Sequence, residues 1–345
     1  MSDVLSFKGW RLPGTFARKY GAEVIKLCFQ PGQRTMVYLS NGRSGLGSCL
    51  GCGSPRCMEK EENEFALDGA LNSFPGDPSL DVCPTRAIQW DLKQTAVTIS
   101  EADCIGCGLC VTRCPYGALS LQEGQNGMVA SVEISDPQNI VTGESGTGSH
   151  PQVEKIGRIA ELDAPAALSL QKNVLRLKDS DRKLFVRNLL NEVGLTARTR
   201  RKGDSNLRMD AVGFSHLRRP FVAEIEMSSG VLDSPRALLE DVAVLHSRYG
   251  YATDIIDPVS IILALPSVRS DYYQVVRDIE KVLGLRCRTL TVGMLIALLW
   301  NLRRIQGFDG DAFAIGEGVV DLSGFIADKG EQWKEPYAGA FRPAK

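Results

Sequence analysis

Residues 103–119, DCIGCGLCVTRCPYGAL, constrain this chain more than any other stretch. Cys104, Cys107, Cys110 and Cys114 form C-x2-C-x2-C-x3-C, with Pro115 following. That is the bacterial iron–sulfur run, whose fourth cysteine ligates the other cluster in two-cluster proteins. The short spacers let three successive thiolates converge on three corners of one cube. Gly106 and Gly108 permit the tight turns this needs, and backbone N–H groups there can donate to sulfur.

Eight of the ten cysteines lie between Cys49 and Cys114, while Cys28 and Cys287 stand apart and read as buried strand thiols. The start, MSDVLSFKGWRLPG, lacks the basic and apolar pattern of a signal peptide, so metal binding is a better reading of the thiols than disulfides. The longest apolar stretches, VSIILALP and VGMLIALLW, are under half a membrane span. The expectation is a soluble cytoplasmic protein with no membrane partner. At 345 residues it exceeds one comfortable core and reads as two domains. The net charge of −1 hides an asymmetry: 49–125 holds 11 acids against 5 bases, and 182–219 holds 10 bases against 3 acids. Different partners are implied, and the basic segment suits a polyanion.

Upstream, Cys49-x2-Cys52-x4-Cys57 forms a looser triad, and Cys83-Pro84 follows the insertion 58–82. The stretch PTRAIQWDLKQTAVTISEAD reads as two short strands around a turn. The block at about 45–122 resembles the two-[4Fe–4S] bacterial ferredoxins, most specifically from Cys83 onward. The resemblance implies an α+β ferredoxin-like fold with two [4Fe–4S] clusters and crossed ligation. Cys104, Cys107, Cys110 and Cys83 would hold one cluster, and Cys49, Cys52, Cys57 and Cys114 the other. The four-residue gap before Cys57 departs from the family pattern, and zinc competes for the upstream triad alone. Before the block, EVIKLCFQ and RTMVYLS look like a hairpin.

These features give a cluster domain over 1–140 and a Gly/Ser/Thr-rich linker or mobile loop over 141–165. An α/β domain over 166–310 and a tail over 311–345 complete the chain. In the α/β part, DRKLFVRNLLNEVG reads as a helix, and NLRMDAVGF and PFVAEIEMS as strands. SPRALLEDVAVLHSRYG reads as a helix with Ser234 as N-cap and Gly250 as stop. Strand VSIILAL, helix SDYYQVVRDIEKVLG, strand CRTLTV and helix GMLIALLWNLRR complete an α/β sandwich.

Glu224 and Glu226 share one face of an otherwise apolar strand, which is costly if they are buried without partners. Asp210 precedes them on the neighbouring strand, and Glu192 falls on the Phe185–Leu189 face of the first helix. Convergence of these four acids would suit Mg²⁺ or Mn²⁺. The bland alternative is a solvated edge strand, on which such charges are common.

This pattern resembles the PD-(D/E)xK nuclease superfamily, restriction-endonuclease-like in fold. Asp210 matches its aspartate, and Glu224-Ile225-Glu226 its second motif with Glu where lysine is usual; Glu192 matches the helix acid. The resemblance implies phosphodiester hydrolysis on DNA, in restriction or anti-phage defence by analogy. Asp210 and Glu224 would bind the metal, Glu226 would accept the water's proton, and Glu192 would be an outer ligand. Arg198, Arg200, Arg201, Lys202, Arg218 and Arg219 would neutralise phosphates, unless the run is only a solvated loop. Two other readings stay open: a ferredoxin-type electron carrier whose second domain docks a redox partner, and an inactive nuclease fold that binds DNA and senses cluster state.

Overall fold

The computed structural model describes residues 23–27, 36–40, 49, 55–93, 96–114, 118–124, 127–132, 164–204, 207–227, 231–263, 266, 270–300 and 304–308. Cys28, Cys52 and Pro115, nearly all of the expected linker and the whole expected tail lie outside these residues. The chain divides into two compact units, the first comprising 1–60, 81–161 and 299–303, the second 61–80, 162–298 and 304–345.

The described residues of the first unit form small antiparallel hairpins and one short helix. β1 (Glu23–Leu27) pairs with β2 (Met36–Ser40), as the alternation there predicts. β3 (Ile88–Asp91) pairs with β4 (Ala96–Ile99), the two strands expected between Cys83 and Cys104. Helix α1 (Leu109–Arg113) starts at Gly108, which with Gly106 takes a positive φ. β5 (Leu119–Gly124) and β6 (Gly127–Val132) form a third hairpin. β6 lies where the sequence periodicity fades. Its half-polar alternation, GMVASV, is too short to carry a strand signal alone.

The second unit is a mixed five-stranded sheet with helices, consistent with the expected α/β content. Helices α2 (Ala164–Arg176) and α3 (Asp179–Glu192) lead into β7 (Thr196–Thr199), β8 (Ala211–Phe214) and β9 (Pro220–Glu226), an antiparallel meander. α4 (Ser234–Tyr249) crosses to β10 (Asp257–Ile262), and α5 (Asp271–Leu283) crosses to β11 (Arg288–Thr291), with both new pairs parallel. α6 (Val292–Trp300) follows. The strand order is β11-β10-β9-β8-β7. β7 is a strand where the sequence reading had the start of a basic loop, and only the last four residues of NLRMDAVGF form β8.

Local chemistry explains the helix ends. Ser270 accepts from Tyr272 N at the start of α5, and Gly250 and Gly284 take left-handed φ at the ends of α4 and α5. Ser234, expected as N-cap, is the first helical residue. Asp233 precedes it, and the Ser234 hydroxyl pairs instead with Ser260 Oγ at 2.6 Å across the core.

Residues 61–80, lying between Cys57 and Cys83, contribute to the core of the second unit. Leu67, Leu71 and Phe74 pack with Val212, Val222, Leu238, Val242 and Tyr272. Gly76 forms a β-bridge with Arg200, Asp77 N donates to Thr199 O, and Arg201 N donates to Pro75 O. The fully buried Arg187 donates to Ser79 O at 2.7 Å and lies over the Phe65 ring. Burying each large apolar side chain contributes roughly 1.5–3 kcal/mol.

Candidate functional site

The first candidate site is the cysteine group of the first unit. Cys49, Cys57, Cys107 and Cys110 are buried, and Cys83, Cys104 and Cys114 are half-buried. Burial pushes the Cys110 thiol well above its ordinary value, and the neighbouring thiols of Cys107, Cys104, Cys83 and Cys57 push it the same way. Burial and then Cys83 and Cys104 raise Cys107 similarly. Cys83, Cys104, Cys107 and Cys110 therefore lie within electrostatic reach of one another, with Cys57 close to Cys110. Thiols held protonated by burial release protons when they bind iron.

Backbone donors already point at sulfur. Val97 N donates to Cys49 Sγ at 3.3 Å, and Ala130 N donates to Cys104 Sγ at 3.3 Å. The left-handed Gly106 and Gly108 hold the loop that carries Cys104 and Cys107. Among the described residues no three His, Cys, Asp or Glu side chains converge tightly enough to chelate a single ion. A four-iron cube gives each iron its own thiolate, and buried thiols grouped with backbone N–H donors suit such a cluster.

The second candidate site opens at the ends of β8 and β9 in the second unit. A cavity of about 330 Å³ is lined by Asp179, Asp210, Glu224 and Glu226. Arg182, Lys183, Arg200 and Arg208 line it as well. β9 is the central strand, so the edge-strand alternative does not hold. Glu192, expected here, ends α3 and does not line the cavity.

Asp210 is the most constrained acid. Its Oδ1 accepts from Lys183 Nζ at 2.6 Å and faces Arg200 at 3.8 Å, and its Oδ2 accepts from Ile225 N at 3.2 Å. Burial works against the Lys183 charge, yet Asp210 and then Asp179 leave its pKa raised. Burial pushes Glu224 up to about 8, with Asp210 and Asp241 adding to the shift. Burial pushes Asp241 up to about 7, again with Asp210 contributing. Asp241, buried on α4, keeps one oxygen without a hydrogen-bond partner among the described residues.

Sequence reasoning therefore missed Lys183 and Asp241. Lys183 stands four residues after Asp179, a helical ion-pair spacing, beside the apolar pair Leu184–Phe185. That was its available signal. As placed, the carboxylates offer no ready cation site. Lys183 already neutralises Asp210, so the Mg²⁺ or Mn²⁺ expectation gains no support from this geometry.

Most of the expected phosphate-binding side chains are engaged within the second unit. Arg198 stacks on Phe65 with its centre 5.6 Å from the ring, and Arg200 points at Asp210 and donates to Leu207 O. Arg218 pairs with Asp68 and lies over Phe214, and Arg219 pairs with Asp257. Arg201 and Lys202 remain exposed. The basic side chains read from the sequence as phosphate contacts are largely engaged within the fold.

Comparison with known proteins bears on the first site. The family model of the 4Fe–4S dicluster domain matches residues 80–118. An uncharacterised ferredoxin of Methanocaldococcus jannaschii is 44% identical over 87 residues, covering 22% of this chain and 51% of that protein. The polyferredoxin-like subunit of an aliphatic sulfonate oxidoreductase of Pyrococcus furiosus is 38% identical over 55 residues, 16% of this chain and 32% of the relative. Component A of hydrogenase-4 of Escherichia coli is 46% identical over 43 residues, 12% and 20% respectively. The chain thus spans about half of the first relative and a third or less of the other two. No solved structure matches it. The chain therefore carries a 4Fe–4S dicluster ferredoxin domain near residues 80–118. No described helix is long and apolar enough to cross a membrane.

Proposed function

We propose that this chain is a ferredoxin-type electron-transfer protein that meets a redox partner at its cluster domain. Cys104, Cys107, Cys110 and Cys83 would hold one cluster, and Cys49, Cys52, Cys57 and Cys114 the other. The observation that carries this reading is the group of adjacent buried thiols with backbone N–H donors, in the stretch where the dicluster family matches. Bound clusters supply reversible one-electron transfer at a potential that hydrogen bonds to sulfur and solvent exposure tune. The chain's share is specific. Val97 and Ala130 amides stabilise added negative charge at Cys49 and Cys104, and burial of Cys107 and Cys110 keeps water away. The exposed acids Glu101 and Asp103 flank Cys104 and suit a partner with a basic surface. The relatives' names, an oxidoreductase subunit and a hydrogenase component, favour this reading over hydrolysis.

The test is anaerobic purification with iron and sulfide analysis, followed by dithionite reduction monitored by visible absorbance and EPR. Reversible one-electron reduction, unchanged in Asp210→Ala and Glu224→Ala, is the expected result. An iron-free chain, or clusters that take up no electron, would overturn the reading.

The second cavity supports a further reading, a metal-dependent phosphodiesterase acting on DNA. Its support is the meeting of Asp210, Glu224 and Glu226 with Lys183 and Arg200 around one cavity. The order helix, three antiparallel strands, helix, parallel strand also agrees with the nuclease resemblance. A metal at Asp210 and Glu224 would first have to displace Lys183 from Asp210. Mn²⁺-dependent cleavage lost in Glu224→Ala, at constant iron content, is the expected result. Absence of cleavage with salt-sensitive DNA binding retained would favour the inactive binder.

A further inference from the structure

Residues 61–80 form a long loop with an unusual neck. Glu59 and Asp81 form an antiparallel bridge, and Val82 N donates to Met58 O at 2.8 Å. Cys57 and Cys83 flank this closed neck in sequence. At its far end the loop is built into the second unit, by the bridge of Gly76 to Arg200 and the amides of Asp77 and Arg201. Arg200 in turn donates its own amide to Asp210 O at 3.0 Å and directs its guanidinium at the Asp210 carboxylate. A continuous series of backbone hydrogen bonds therefore runs from the loop to the carboxylate cavity.

We infer that residues 61–80 act as a strap that makes the order of β7, Arg200 and Asp210 depend on the two clusters being bound, one through Cys57 and the other through Cys83. The inference rests on the reading of these two cysteines as cluster ligands. The two bound clusters would fix the two ends of the neck, one through the Cys57 thiolate and the other through the Cys83 thiolate. When the clusters are lost, the neck keeps the Glu59–Asp81 bridge and the Val82–Met58 hydrogen bond, and a short antiparallel contact of that kind is marginal in water. The ends then gain conformational freedom, which opposes the ordered seating of the loop on β7. Phe65, Leu67, Leu71 and Phe74 still favour docking through apolar burial. The expected response is therefore local opening at the β7 edge rather than global unfolding. Loss of the clusters would misplace Arg200 and leave Asp210 with Lys183 as its close cation.

Amide hydrogen exchange on the full chain tests this. Anaerobic cluster-loaded protein is compared with the same sample stripped of iron by a chelator, with iron counted in both. Exchange at the Asp77, Arg200 and Arg201 amides should rise by about tenfold or more on stripping, while the α4 amides of Leu238–Leu245 stay protected. Phe74→Ala in the loaded chain should accelerate the same amides without loss of iron. Unchanged protection after complete iron loss would overturn the strap, and so would uniform loss of protection including α4. A purified chain without iron would instead show, before any exchange is measured, that the ligand reading itself fails and the strap with it.

Discussion

Lys183 Nζ lies 2.6 Å from Asp210 Oδ1, joining a helix to the strand-entry loop 27 residues later. The pair is largely withdrawn from solvent, with 18% and 8% side-chain exposure, so it is not a screened surface contact. Removing the lysine leaves a buried carboxylate with Ile225 N and the more distant Arg200. Lys183→Ala should destabilise the second unit by about 2 kcal/mol, read as a lower midpoint in urea unfolding followed by circular dichroism. A midpoint unchanged from wild type would contradict the geometry.

Stability should fall as pH rises across the window set by Glu224 and Asp241. Their ordinary values are 4.5 and 3.8, and folding raises them to about 8 and about 7. Between these limits the native state holds more protons than the unfolded chain. Stability present below the unfolded values is therefore lost as pH rises from 3.8 toward about 8. The groups facing them are Asp210, Glu226, Glu240, Lys183, Arg200 and Arg208. Glu224→Gln should flatten the slope between pH 5 and 8 by on the order of 1 kcal/mol per pH unit at most. Parallel stability–pH curves for variant and wild type would count against the buried-acid assignment.

Iron content should report the crossed ligation. The loaded wild type should carry about eight irons per chain, four for each cluster. Cys110→Ala should lose the cluster shared with Cys83, Cys104 and Cys107 more readily than Cys114→Ala does. Identical spectra from the two variants would argue against separate ligand sets.

Gly213 sits in β8 where a methyl group would collide with the Thr196 carbonyl and come within 2.6 Å of the Phe221 ring. Both neighbours belong to adjacent strands of the sheet, and neither can move without disturbing its register. Gly213→Ala should cost about 2 kcal/mol or more through overpacking, seen as lower soluble yield and a lower melting temperature. A fully stable variant would mean that the strands are spaced more widely.

Cluster chemistry was legible because four thiols at fixed spacing leave little conformational choice. Helices α4 and α5 were legible because Gly250, Ser270 and Gly284 punctuate an apolar period of 3.6. β7 was not, since T-A-R-T has no apolar alternation and becomes a strand only through pairing with β8 and contact with Gly76. The carboxylate site was read in part. Glu224 and Glu226 follow from strand alternation and Asp210 from its place ahead of them in the same hairpin, whereas Lys183 and Asp241 arrive from α3 and α4, which only the tertiary fold brings near. The basic run misled because charge composition does not reveal that Arg198 stacks on an aromatic ring and Arg200 faces an acid.

β7 is the last strand of its sheet, and its outward edge is met by Gly76 and Asp77 from far upstream in the chain. A fragment cut after residue 140 would keep the α/β elements yet lack this cover. Its bare edge, beside an apolar surface stripped of Leu67, Leu71 and Phe74, would invite pairing with a second copy. The piece of sequence that looks dispensable between two cysteines thus serves the distant sheet as protection against self-association.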